Sequence, residues 1–214
     1  MLVLYKYLYI KQHSNLEVSM TNQPGKGIKK TVEPIRKLKD VRAIKKILSD
    51  KPRDLLLFTL GINNGLRGGD LLKLKVFQVK TLHVGDSIAI VENKTGKKNV
   101  LVINKPSYDA LQKFLKSTNK QDNDYLFSGR KGTDPITIPS LNRLIKGWTS
   151  AINLKGKYGT HSLRKTWGYI QRTEFGVPIE KITQRYLHTS PAVTMGYLGL
   201  QTQEVEDILI NNAI

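Results

Sequence analysis

Cysteine is absent from the 214 residues, which excludes disulfide frameworks, thiolate zinc sites, iron–sulfur clusters and thiol catalysis. Nothing therefore argues for an oxidising compartment. Long apolar runs are absent too, and no stretch approaches the roughly 18 apolar residues of a membrane span. The apolar start, MLVLYKYLYI, is short and interrupted by Lys6, without the basic opening or small-residue cleavage site of a secretory signal. A cytoplasmic protein is the expectation. Acidic residues are scarce, 17 against 35 basic, giving a formal charge of +18. Glycine (17) and proline (8) are at ordinary levels, so collagen-like and low-complexity classes are excluded. No HExxH pair and no glycine-rich nucleotide loop occurs. Asp122 and Asp124, which flank Asn123, read as turn residues, and no metal site or cofactor is expected.

What the chain does have is basic charge, which favours polyanions: nucleic acid first, an anionic membrane surface second. The length fits one domain with an arm. Residues 1–31 read as an N-terminal arm, with a flexible basic linker over 21–31 around QPGKGIKK. From Glu33 the pattern changes. Ile35, Leu38, Val41, Ile44, Ile47 and Leu48 fall at helical spacing opposite a basic face. Between Lys26 and Arg53 stand 11 basic and three acidic residues. Pro52 suits the first turn of a second helix, PRDLLLFTLGINN, broken at Gly65 and Gly68–Gly69. A short helix, DLLKLKV, follows. Residues 79–103 read as strands, with Ser87–Glu92 and Asn99–Ile103 joined by the turn Lys94-Thr95-Gly96-Lys97. A helix follows Pro106, and 139–153, 161–175, 178–187, 191–198 and 203–211 read as further helices. The expected fold is α+β, mostly helical with one small antiparallel sheet.

Four histidines occur. His13 and His83 read as structural or merely exposed. His161 and Arg164 stand three apart in GTHSLRKT at a helix start, so they share one face where the dipole already favours an anion. An imidazole and a guanidinium in that place make a phosphate clamp. His188 lies in YLHTSPAVTMGYLG, nine residues before Tyr197; Tyr169 and Tyr186 read as packing residues. Arg67, in GLRGGDLLKLK, stands at a glycine-flanked helix boundary. Asp70, three residues on, is placed to pair with Arg67 or another arginine and fix its orientation.

These strings, in this order, resemble the catalytic domain of the tyrosine recombinases, the phage-integrase family, over roughly residues 33–212. GLRGGDLLKL is similar to the first arginine box, with Arg67 as the active arginine and Asp70 as the supporting acid. ENKTGKK is similar to the hairpin lysine box, giving Lys94. HSLRKT is similar to the second box, giving His161 and Arg164. YLHTSPAVTMGYLG is similar to the third, giving His188 and the nucleophile Tyr197. Two of the strings depart from the pattern: Leu187 stands where the family often has glycine, and Gly68–Gly69 where a larger residue is common. Most members also carry an N-terminal helical domain that clamps the far side of the DNA. Here only the 1–31 arm precedes a catalytic domain over 32–214, and the core-binding domain is expected to be absent.

The resemblance implies a site-specific recombinase or integrase, acting on double-stranded DNA through a 3′-phosphotyrosine without metal or ATP. It implies arginines on the phosphate, His161 as proton acceptor from Tyr197, and Lys94 as general acid on the leaving oxygen. It implies a monomer in solution and a homo-tetramer on paired DNA sites, with the amphipathic tail TQEVEDILINNAI docking on a neighbour or on its own domain. A DNA-binding module of the same fold, inactive without a missing core-binding domain, is the alternative. Type IB topoisomerases share the chemistry, and a basic RNA-associated protein would explain the charge but not the ordered boxes.

Overall fold

A computed structural model describes residues 31–129, 132–200 and 210–211. The expected arm lies outside these residues except for Thr31, and the expected helix over 203–211 does so except for its last two residues, which are helical.

The chain enters as an extended segment in which Ile35 is buried and its N–H donates to Thr166 Oγ1 at 2.8 Å. That tertiary bond takes the backbone group a helix would have used. The first helix, α1, accordingly spans Leu38–Ile47, later than the apolar spacing begins. Val41 and Ile44 face inward, Asp40 sits in the first turn and Lys45 and Lys46 in the last, which suits the helix dipole. Helix α2, Pro52–Asn64, starts on its proline and ends at Gly65, whose φ of 59° is left-handed. A β-carbon at Gly65 would also lie 2.7 Å from the Trp167 ring, so the position excludes other residues twice over.

Two short helices follow, α3 (Gly68–Leu72) and α4 (Val76–Val79). Residues 80–86 form turns, not the strand expected there. His83 N–H donates to the Asp86 carboxylate, and Gly85 N–H donates to Ile103. The sheet is a single antiparallel hairpin of β1 (Ser87–Val91) and β2 (Lys98–Val102), in the register Ser87 to Val102 and Val91 to Lys98. Ile90, Asn99 and Leu101 form its buried side. Helices α5 (Lys105–Lys116), α6 (Ile138–Ala151), α7 (Thr160–Thr173), α8 (Ile179–Tyr186) and α9 (Pro191–Leu198) complete the described elements.

Helix α2 is central: Leu56, Leu57, Phe58 and Leu60 are all buried, and it packs on α5 and α7. Trp148 of α6 meets Phe58 edge-on, with centroids 5.8 Å apart. A smaller apolar cluster, built on Ile182, Tyr186, Leu198 and Leu200, holds α8 and α9 against α7. Among the described residues no helix is long and apolar enough to cross a membrane.

Candidate active site

The six residues singled out by the boxes come from five parts of the fold. Arg67 caps α3 at its N-terminus. Lys94 stands on the exposed turn of the hairpin. His161 and Arg164 lie in the first turns of α7, His188 just beyond α8, and Tyr197 near the end of α9. The structure gathers Arg67, His161, Arg164, His188 and Tyr197 into one cluster, through ring contacts to Tyr197 and a shared carboxylate between the arginines. Arg67, Lys94 and His161 also line a neighbouring cavity of about 490 Å³, with Asp70, Asn93 and Thr160.

Arg164 is the most constrained of them, at 2% exposure. Its Nη1 donates to Gly65 O at 2.8 Å and its Nη2 to Tyr186 O at 2.7 Å, while its guanidinium lies 4.4 Å from the Tyr186 ring centroid. Carbonyls at the end of α2 and the end of α8 therefore fix it. Tyr186 itself is fully buried, with its hydroxyl donating to Arg164 O and accepting from Gly168 N–H. Burial pushes that phenol well above its ordinary range, so it stays protonated.

The Tyr197 hydroxyl lies 3.5 Å from His161 Nδ1, and the ring stands edge-on to His161, His188 and Tyr186 at centroid separations of 6.4, 5.3 and 5.6 Å. Burial pushes the phenol up to about 12, with Arg164 and Arg67 opposing that shift. Lys165, buried beside it, places its ammonium 4.8 Å from the ring centroid, a cation–π contact. His161 is held below its ordinary value, first by desolvation and then by Arg164, Lys165, Lys94 and Arg67. His188 is pushed down to about 4 by burial and by the two arginines. Its Nδ1 pairs with Thr194 Oγ1 at 3.0 Å, and that hydroxyl with Thr183 Oγ1 at 2.8 Å. The ring is thereby oriented through its Nδ1 side. Both imidazoles are neutral near pH 7.

Among the described residues Asp70 pairs with no arginine. It is 5% exposed, and its Oδ1 accepts from Asn93 N at 3.0 Å and from Asn93 Nδ2 at 2.7 Å. It ties down the hairpin turn one residue before Lys94. Arg67 instead forms its ion pair with Glu92, a residue of the lysine-box string that sequence reasoning passed over. Gly68, far from loosening Arg67, sits where a β-carbon would meet Leu141 and Thr160 at 2.7 Å, so α3 packs tightly against α6 and α7.

The phage integrase family model matches residues 15–204. This chain belongs to the phage integrase family. Its Bacillus subtilis (strain 168) relative named "Probable integrase/recombinase YoeC" is 35% identical over 172 residues, 79% of this chain and 90% of that protein. The tyrosine recombinase XerC of Caldanaerobacter subterraneus subsp. tengcongensis is 24% identical over 168 residues, 77% of this chain but 46% of that one. The chain thus spans most of the first relative and about half of the second. In fold it is similar to the crystal structure of XerA recombinase, with a TM-score of 0.68 and 21% identity over 85% of this chain and 66% of that one. It is also similar to XerH recombinase in a post-cleavage complex with palindromic difH substrate, at 0.64 over 80% of this chain and 49% of that one.

Besides Glu92, three groups not singled out in the sequence surround the site of this family member. Arg185 clamps the site's back wall: Nε donates to Asn64 O at 2.8 Å, Nη1 to Asn99 Oδ1 at 2.7 Å and Nη2 to Val100 O at 2.8 Å, joining α8 to α2 and the hairpin. Lys165 and Asn93 are the other two. Only position gave a signal for them. Glu92 precedes the hairpin turn in a chain poor in acids, and Arg185 directly precedes the YLH string.

Proposed function

We propose that this chain breaks and rejoins DNA strands with Tyr197 as the nucleophile. The observation that carries this reading is the Tyr197 hydroxyl beside the neutral His161 imidazole, within the electrostatic reach of Arg164 and Arg67. A phosphodiester is already an anion, and its displacement develops more charge on the non-bridging oxygens. Fixed donors aimed at that charge supply the largest share of such catalysis. Guanidinium groups suit the task because they are planar, permanently charged and able to bond two oxygens at once.

In the forward step Tyr197 Oη bonds to phosphorus while the bond to the leaving 5′-oxygen breaks. A phenol pushed up to about 12 does not ionise unaided near pH 7, so its proton passes to His161 Nδ1 as the new bond forms. His188 Nε2 serves a non-bridging oxygen. Lys94, on the hairpin turn, gives the leaving oxygen its proton. The product is a 3′-phosphotyrosine and a free 5′-hydroxyl. A partner strand's 5′-hydroxyl runs the same step backwards, so the phosphodiester energy is retained and ATP is not consumed. The arginines carry the charge a metal would otherwise stabilise. The relatives' names and the +18 charge point to duplex DNA as substrate, with exchange between specific sites as the outcome.

The test is a nicked suicide duplex drawn from the sequences that flank the gene, incubated with EDTA and without ATP. A covalent adduct that survives SDS and disappears in Tyr197→Phe is the expected result. Binding of the same duplex without any adduct overturns the reading.

A further inference from the structure

Glu92 directly follows β1 and is completely buried. Its Oε2 takes the Arg67 ion pair, and its Oε1 lies 3.7 Å from Arg164 Nη1. Two donors of its own hairpin complete the shell, Thr95 Oγ1 at 2.8 Å and Asn99 Nδ2 at 3.0 Å. Asn99 in turn accepts from Arg185. Among the described residues Glu92 is the acid paired with both pocket arginines. It does not line the neighbouring open cavity, which Arg67, Lys94 and His161 border. Two guanidinium groups brought together in a buried place repel each other, and a buried carboxylate without cations carries a large desolvation cost. Each charge makes the other tolerable, and the carboxylate fixes where the Arg67 fork points.

We propose that Glu92 is the positioning residue for Arg67, a counter-anion that aims its guanidinium at the phosphate while offsetting the charge of Arg164, which the Gly65 and Tyr186 carbonyls hold. This rests on the reading that these arginines hold the scissile phosphate. The acids then divide the work: Asp70 holds the hairpin through Asn93, and Glu92 holds Arg67. Glu92 and Lys94 ride on the same turn, two residues apart. One hairpin therefore carries both the general acid and the counter-anion of Arg67.

Two measurements test this. In single-turnover cleavage at saturating DNA, Glu92→Gln is expected to slow adduct formation on the order of 10–100-fold, as displaced catalytic groups do. Its DNA affinity stays at least as tight as the native chain's, because a negative charge has left the site. In an Arg67→Lys background the same change costs little further rate. Native-like cleavage by Glu92→Gln, or an equal loss in both backgrounds, overturns the proposal. Should Glu92→Gln fail to fold, Thr95→Val removes one hydrogen bond from the carboxylate at an exposed turn, and a smaller loss of rate without loss of affinity is expected. The second measurement needs no activity: urea unfolding of Arg67→Gln, Glu92→Gln and the double variant. Non-additive effects are expected, and additive ones overturn the pairing. If the native chain forms no adduct on any duplex while this coupling holds, the strand-transfer reading has failed and the Glu92–Arg67 unit has not.

Discussion

Leu187 ends α8 in a left-handed conformation, with φ of 55° and ψ of 34°. A side chain there costs about 1–2 kcal/mol, because its β-carbon crowds the following carbonyl. The turn must nevertheless be made, since it swings the chain from Tyr186, whose carbonyl holds Arg164, to His188 in the pocket. This gives a physical reason for the glycine that the family pattern favours and this chain lacks. Leu187→Gly is expected to raise the unfolding free energy by about 0.5–1 kcal/mol, the relief being partly offset by the entropy of a freer unfolded chain; a urea midpoint that falls would refute it. His188, the next residue, carries a pH signature. Unfolded, its imidazole binds a proton near pH 6.5; folded, it does so only at about 4. Between those values the unfolded state holds more protons, so stability rises with pH across that window and is lost as pH falls through it. His161, also lowered, adds the same sign. The unfolding free energy should be smaller at pH 5 than at pH 7, with the difference shrinking in His188→Gln; a flat profile would contradict the burial of the ring. Residues like these two are visible in the string as letters, whereas left-handed backbone and proton affinity are consequences of packing. Glu92 shows the limit most clearly, because a glutamate beside a turn looks like any solvated acid until the fold places two arginines on it.

At the scale of elements, the helices were readable because their apolar residues recur at helical spacing and their ends carry proline and glycine. Helix α2 begins on Pro52 and α9 on Pro191, as the sequence indicates. The hairpin was readable from its alternating β-branched residues and its Gly96, at φ of 65°. Residues 80–86 were misread as strand because their backbone groups are satisfied by Asp86 and Ile103 rather than by a ladder partner, and no periodicity announces that. The role of Asp70 was misassigned for a similar reason: helical spacing puts it near Arg67, but the hairpin folds over α3 and offers Asn93 instead. That contact has a consequence for Lys94. Asp70→Ala is expected to free the turn, speed amide exchange across residues 92–97 and slow cleavage about 10–100-fold, since a catalytic group displaced by about 1 Å loses that much. DNA affinity should change little, because no phosphate-binding cation is removed. An unchanged exchange pattern would show that the turn is held by the Glu92 shell alone.

Across the whole molecule the governing quantity is charge. Each phosphate neutralised on duplex DNA releases counterions, so affinity should fall linearly in log–log coordinates with a slope of about −0.9 per contact. The same charge bears on assembly. Strand exchange between two duplexes requires four cleavages, and a chain with one Tyr197 supplies one of them, so the strand-transfer reading calls for four copies. Four copies of a +18 chain sum to 4 × 18 = +72, a self-repulsion that disfavours association of the free protein. DNA removes that obstacle by supplying the counter-charge. Light scattering should therefore give a monomer mass for the free chain at low salt and a tetramer only when paired duplex sites are added. A stable tetramer without DNA at low salt would mean that apolar contacts, rather than the nucleic acid, overcome the repulsion, and the charge argument would fall.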